Sequence, residues 1–346
     1  MTSDALSWPD VLGRVVSGED LGQDEAAAVL GEVMAGNVAE PVLAALLAAL
    51  AAKGESPGEV AGFVSAMLDA ATRVPVDGPL LDTCGTGGDG AGTFNISTTA
   101  ALVCAAAGAR VAKHGNRAAS SRSGSADLLE AWGVAIDLGP QDAATCLEEL
   151  GITFLFARTF HPAMRHVAGV RASLGIRTVF NVLGPLSNPA RAGHQAVGVG
   201  DLRLAPVMAE ALARLGSRAM VFHGDDGLDE LTTTTTSRIW TVRDGHVETS
   251  VFDPTDLGVE RVRPEALVGG GPEDNRVISD RVLEGGTGPH ADVVALNAAA
   301  GLFTYGLVED LGAGLARARE VLASGAAADL RDRWAARSTE LAGTVG

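Results

Sequence analysis

Lysine is nearly missing from this chain: Lys53 and Lys113 are the only two, beside 24 arginines. With arginine so strongly favoured, a retained lysine marks a place where a compact ammonium suits better than a wide guanidinium. Cysteine is scarce too. Cys84, Cys104 and Cys146 make an odd count, stand far apart and form no Cys-x-x-Cys pair, which argues against both a disulfide framework and a zinc site. A reducing cytoplasm is the expected setting. Long apolar runs are also missing, since the longest, Val42 to Ala52, is too short to span a bilayer, and residues 1–20 carry no basic segment leading into an apolar one. Neither a membrane partner nor export is expected. Positive charge is in deficit, and a formal net charge of −17 would repel DNA or RNA over most of the surface. Phosphate binding must then come from a local site, and no nucleic-acid partner is expected.

What is present is enough for one or two packed cores: 346 residues, of which 47% are hydrophobic. Residues 8–73 read as helices, with Leu43, Leu46, Leu47 and Leu50 on one face at i, i+3, i+4, i+7 spacing. Ser56-Pro57-Gly58-Glu59 is a capping box with proline at the first helical position, so the last of these helices is predicted to start there and run to about Arg73. From Leu80 the texture changes to short apolar runs alternating with Ala-rich stretches, the rhythm of βαβ units. The fold class expected is α/β: a small all-helical domain and a larger domain with a mainly parallel sheet flanked by helices. Leu80-Leu81 leads into a glycine loop, and Ala109 to Ala112 reads as the next strand, bringing Lys113 and His114 to its C-terminal end, where open α/β sheets bind ligands. Further strands are predicted at Ile152–Phe156, Ala196–Val199, Ala219–Phe222 and Ile239–Val242. Helices are predicted near 98–107, 127–132, 204–215, 291–303 and 311–324.

Five of the eight residues from Gly85 to Gly92 lack a side chain, which lets a backbone turn its N–H groups toward an anion without steric cost. Gly85, Gly87 and Gly90 satisfy G-x-G-x-x-G, but the acidic residue a dinucleotide site needs about twenty positions further on is missing, and no P-loop motif is present. Asn95-Ile96-Ser97-Thr98 and then Lys113-His114-Gly115-Asn116-Arg117 add hydroxyls and cations within some thirty residues, and Ser120, Ser121, Arg122, Ser123 and Ser125 follow with no carboxylate before Asp127. A polyanionic ligand is the inference, although a lone lysine or a glycine turn can be merely structural. Asp229-Glu230 follows Gly224-Asp225-Asp226-Gly227-Leu228 and suits a hard divalent cation, while an acidic surface turn would look the same. Arg165, Arg171, Arg177, His161 and His166 crowd a segment running into Gly184-Pro185, and an arginine beside such a turn can hold a small carboxylate bidentately. At least two of these three arginines are expected to be solvent-facing helix charges.

Taken together, Gly85-Thr86-Gly87-Gly88-Asp89, Asn95-Ile96-Ser97-Thr98, Lys113 to Ser121, His161-Pro162-Ala163-Met164, Gly184 to Pro189 and Asp229-Glu230-Leu231, in this order, resemble the anthranilate phosphoribosyltransferase family. The resemblance covers nearly the whole chain. It implies a helical domain of residues 1–74 joined by about 165–187, an α/β domain of 75–164 and 188–346, and substrates meeting between them. It implies that phosphoribosyl diphosphate is surrounded by Gly85, Gly88, Asp89, Thr93, Asn95, Ile96, Ser97, Thr98, Lys113, His114, Gly115, Asn116, Arg117, Ala118, Ala119, Ser120, Ser121 and Ser125. Anthranilate would lie against Gly85, His114, Asn116, Arg171 and Pro185, and Mg²⁺, two ions per site, would be held by Ser97, Asp229 and Glu230. Arg165 and Arg177 receive no role. The implied reaction displaces diphosphate from the ribose C1 by the aromatic amine, with Lys113 as the catalytic residue that neutralises the departing charge. A homodimer formed through the helical domain is expected. A pyrimidine nucleoside phosphorylase would share the fold but lack the Lys-His-Gly-Asn-Arg run, and a non-catalytic relative that binds nucleic acid would need a basic face that the net charge disfavours.

Overall fold

The structure, a computed structural model, describes residues 6–118 and 122–343. Four helices, Trp8–Val16, Gln23–Met34, Glu40–Lys53 and Pro57–Asp69, form a bundle whose core includes Leu43, Leu46, Leu47 and Leu50 as their spacing predicts. The capping box forms: the Ser56 hydroxyl accepts from the Glu59 N–H at 3.2 Å, and the Glu59 carboxylate accepts from the Ser56 N–H at 2.8 Å. Glu59 is fully buried, and Lys53 supplies its counter-charge at 2.9 Å while also reaching Asp20. One of the two lysines is thereby explained as a structural pair. The last bundle helix ends at Asp69, four residues short of the expected Arg73, because Thr72 donates its N–H to the Phe160 carbonyl instead of continuing the ladder.

The sheet has seven strands: β1 Leu81–Gly85, β2 Val111–Gly115, β3 Ile152–Phe156, β4 His194–Gly198, β5 Arg218–Gly224, β6 Ser237–Arg243 and β7 His246–Phe252. Their order is β3-β2-β1-β4-β5-β6-β7, parallel from β3 to β5 and antiparallel thereafter. The chain therefore reverses its winding at β1, the switch point where an α/β sheet opens a crevice. β7 was not predicted, because His246-Val247-Glu248-Thr249-Ser250-Val251-Phe252 is an exposed edge with no continuous apolar face. Asp244 at φ 52 and Gly245 at φ 76 make the two-residue turn that pairs it with β6. β2 begins two residues later than expected and runs on through Lys113, His114 and Gly115. Helices Pro140–Leu150, Pro272–Leu283 and Ala326–Gly343 also escaped the sequence reading.

One face of the sheet packs on helices Ile96–Ala106 and Pro289–Tyr305; Leu81, Val103, Val111 and Val294 belong to that core. On the opposite face Val197, Val199 and Val221 share a core with helix Leu204–Arg214 and with the bundle. Helices Arg165–Leu174 and Phe180–Leu186 return to the bundle, where Val167, Val170, Phe180 and Leu183 pack with its leucines. Pro185 thus lies inside a short helix and not in the Gly-Pro turn expected from sequence.

Candidate active site

β1 ends at Gly85 and releases the glycine loop, which folds against the ends of β4 and β5. The Thr86 N–H donates to the Gly198 carbonyl at 2.9 Å, and the Gly200 N–H donates to the Thr86 hydroxyl at 3.0 Å. Space is tight: a Cβ on Gly85 would meet the Asp229 carboxylate at 2.4 Å, and one on Gly198 would meet the Asp229 carbonyl at 1.6 Å. Gly88 stands at φ +74, in the left-handed region that glycine alone enters freely. The loop is held by the acidic pair itself, since the Gly87 N–H donates to the Asp229 carboxylate at 2.7 Å. Asp89 accepts from the Ala91 N–H at 3.2 Å, and Thr93 bridges to Val268.

The acidic pair is short of counter-charge. Burial pushes the Asp229 carboxyl up to about 7, and the Asp89 charge adds to the rise. Burial, reinforced by Asp229, raises Glu230 well above the usual carboxylate range, and the Ser97 N–H donates to it at 3.1 Å. Among the described residues no three histidine, cysteine, aspartate or glutamate side chains converge to hold an ion alone. Adjacent carboxylates that accept backbone N–H groups and, among the described residues, touch no cation fit a divalent ion that completes its shell with substrate oxygens, as Mg²⁺ does. The acidic surface turn considered from sequence is excluded for Glu230, which is 8% exposed.

Next to this pair β2 presents Lys113, which is 2% exposed and donates to the Thr83 carbonyl. Burial lowers its pKa, opposed by the charges of Asp82, then Cys84 and Glu230. Sequence reasoning missed Asp82. Fully buried on β1, it accepts from the His114 N–H at 3.1 Å and the Asn188 amide at 2.8 Å, and burial lifts its carboxyl to about 6. The only early signal was an acid just after the apolar Leu80-Leu81 that opens the strand.

His114 Nδ1 meets the Gly184 carbonyl at 3.1 Å. A carbonyl can only accept, so Nδ1 carries the proton and Nε2, buried and without a partner among the described residues, is left as an acceptor. Burial, then the neighbouring His161 ring at 5.1 Å, lowers the His114 pKa to about 3, so the ring is neutral. His161 Nε2 meets the Ser187 carbonyl at 2.9 Å.

The cleft these residues line has a volume of about 840 Å³ and is walled by His114, Asn116, Arg171, Phe180 and Pro185. Arg171 stands over the Phe180 ring at 5.4 Å. Thr86 lines the cleft where Gly85 was expected, and Arg165 lies at its wall with Arg158. Among the described residues no aspartate or glutamate lines the cleft, which suits a carboxylate ligand.

The remaining predicted residues divide by environment. Asn95 joins Ser123 at 3.1 Å and Asn275 at 2.9 Å, the latter unanticipated. Ile96 and Thr98 are buried at 1% exposure and can offer a ligand only their backbone. Gly115 lies against Ser125, whose hydroxyl donates to the Asn116 carbonyl at 3.2 Å. The Ala118 N–H donates to Asp127, while Arg117 pairs with Glu130 and Asp127. Arg117 is thus already neutralised by carboxylates that sequence alone had placed downstream. Ala119, Ser120 and Ser121 lie outside the described residues.

Comparison with known proteins agrees in every direction. A family model described as "Glycosyl transferase family, helical bundle domain" matches residues 9–71, and one described as "Glycosyl transferase family, a/b domain" matches residues 77–328. The anthranilate phosphoribosyltransferase of Nocardioides sp. is 52% identical over 335 residues, covering 95% of this chain and 98% of that relative. The Rhodococcus opacus enzyme of the same name is 49% identical over 344 residues, 98% of this chain and 95% of its own. The crystal structure of anthranilate phosphoribosyltransferase from Thermus thermophilus matches with a TM-score of 0.90 at 51% identity, covering 95% of this chain and 99% of that one. The Saccharomyces cerevisiae enzyme in complex with PRPP and Mg matches with a TM-score of 0.87 at 27% identity, covering 96% and 98%.

Proposed function

Because the chain belongs to the anthranilate phosphoribosyltransferase family, we propose that it transfers the phosphoribosyl group of 5-phosphoribosyl 1-diphosphate to the amine of anthranilate. The products are N-(5-phosphoribosyl)anthranilate and diphosphate, in tryptophan biosynthesis. The observation that carries this reading is the meeting, at one sheet edge, of a glycine loop, the acidic pair Asp229–Glu230 and a cleft that bears Arg171 and a neutral His114 and has no acid among its described lining residues.

The glycine loop and the helix start at Asn95 to Thr98 would surround the sugar diphosphate, as positive-φ glycines and a helix start are suited to do. Mg²⁺ bound by Asp229 and Glu230, with Ser97 nearby, would neutralise charge on the departing diphosphate. Two ions per site is the expectation that the family resemblance carries. Arg171 would hold the anthranilate carboxylate, and the Pro185 edge with Asn116 would border the ring. An arylamine is neutral near pH 7, so no strong base is required. His114, neutral and at the cleft wall, would lie against the anthranilate and help fix its orientation. Lys113 acts from behind the loop as a buried positive charge, balanced by Asp82 and Glu230.

In this reading residues 1–74 with about 165–187 form the domain that supplies Arg171, and the remainder binds the sugar diphosphate. A homodimer through the helical domain would cover Val16, which is 73% exposed at the end of its first helix. No helix among the described residues is long and apolar enough to cross a membrane, and a cytoplasmic location fits three free cysteines. Loss of anthranilate fluorescence on adding phosphoribosyl diphosphate and Mg²⁺ tests the reaction. Undiminished fluorescence, with no diphosphate released, would refute it.

A further inference from the structure

The glycine loop is built from the sheet domain except at one point. Arg177 belongs to the stretch between helices Arg165–Leu174 and Phe180–Leu186, which packs with the bundle, yet its guanidinium occupies the space beside Gly88. A Cβ on Gly88 would stand 2.6 Å from Arg177 Nη1. Arg177 is exposed, and it donates no hydrogen bond to any described residue. The acid its charge acts on is Asp201, on the loop after β4, which is already held by Arg203 through contacts of 2.8 and 3.1 Å. The same loop leans on the glycine loop, since a Cβ on Gly200 would lie 3.4 Å from Asp89 Cα. Arg177 is therefore a guanidinium without a committed partner, set against the amide-bearing backbone.

Its setting points to an anion. Asp89, Asp229 and Glu230 crowd the inner side of the loop, and a bare diphosphate there would meet like charge. Arginine's planar fork matches two oxygens of a phosphate at once, which a lysine at this position could not do.

We propose that Arg177 is a further binding residue for the sugar diphosphate, gripping diphosphate oxygens beside Gly88. This rests on the function proposed above. It makes one short segment serve both substrates: Arg171 reaches the aromatic carboxylate and Arg177 the leaving group.

Calorimetric titration of Mg²⁺-replete protein with phosphoribosyl diphosphate, inorganic diphosphate and ribose 5-phosphate tests the assignment on wild type, Arg177→Ala and Arg177→Lys. Loss of a charge-assisted contact is expected to weaken binding of both diphosphate compounds about 10- to 100-fold in Arg177→Ala, with ribose 5-phosphate changed by less than about twofold. Arg177→Lys should recover part of the loss, and both variants should melt as wild type does, because the side chain is exposed. Arg177→Ala that binds diphosphate as wild type does overturns this assignment alone. An equal loss for ribose 5-phosphate also overturns it, since that would mean general disordering of the loop. Wild-type protein that takes up neither diphosphate compound overturns the functional reading and the assignment with it.

Discussion

Replacing Lys113 with methionine keeps most of the side-chain volume and removes the charge together with its hydrogen bond to the Thr83 carbonyl, which separates packing from electrostatics at the centre of the site. Lys113 is enclosed, and the two acids that face it, Asp82 and Glu230, are buried as well. Deleting one partner of a buried ionic group typically costs about 3–5 kcal/mol, because the other charges are left uncompensated. In a chain of this size about 2 °C of melting temperature accompanies each kcal/mol, so the variant should melt about 6–10 °C lower at pH 8. The dependence on pH has a definite sign. The Asp82 carboxyl is raised to about 6 in the folded protein, so below that pH it is protonated and needs no cation. Without Lys113 its pKa would climb further, and the difference between variant and wild type would open only as pH rises through 6. Differential scanning calorimetry at pH 5 and pH 8 should therefore show a small gap at the lower pH and the full gap at the higher. A gap of the same size at both, or none at pH 8, would refute the view of Lys113 as the counter-charge of a buried acid cluster. Turnover by the folded variant should fall far more than its affinity for anthranilate.

Three further outcomes are expected. Gly198→Ala would drive a methyl into the Asp229 carbonyl, and should lower both the melting temperature and the affinity for Mg²⁺; a variant matching wild type in both would show that the loop yields. Asp229 holds its proton up to about pH 7, so the apparent Mg²⁺ affinity with diphosphate present should fall as pH drops below 7, by up to about tenfold per unit, and Asp229→Asn should flatten that profile. Arg171→Ala should raise the KM for anthranilate about 10- to 100-fold while leaving the affinity for phosphoribosyl diphosphate within about twofold, as steady-state kinetics and calorimetry would report.

Much of this architecture was legible because periodicity and capping express backbone requirements that a sequence must state locally. The bundle leucines, the box at Ser56 and the strand Ile152–Phe156 each announce themselves within a few residues. The site residues were legible for another reason: glycines, a rare lysine and paired acids are chemically conspicuous. What stayed hidden depends on partners distant in sequence. Asp82 gains its meaning only when Asn188 and His114 close around it, and Arg117 meets Asp127 and Glu130 only once the next helix, Ser125–Ala131, has formed. β7 shows no pattern of its own because its stability is borrowed from β6.

The return of residues 165–187 to the bundle has a practical consequence for anyone wishing to divide this molecule. Cutting near residue 75 would yield an N-terminal fragment missing the wall that Val167, Val170, Phe180 and Leu183 provide, and a C-terminal fragment carrying those same residues bare to water. Neither piece is a self-sufficient module. A working split would need two cuts and a bridging linker.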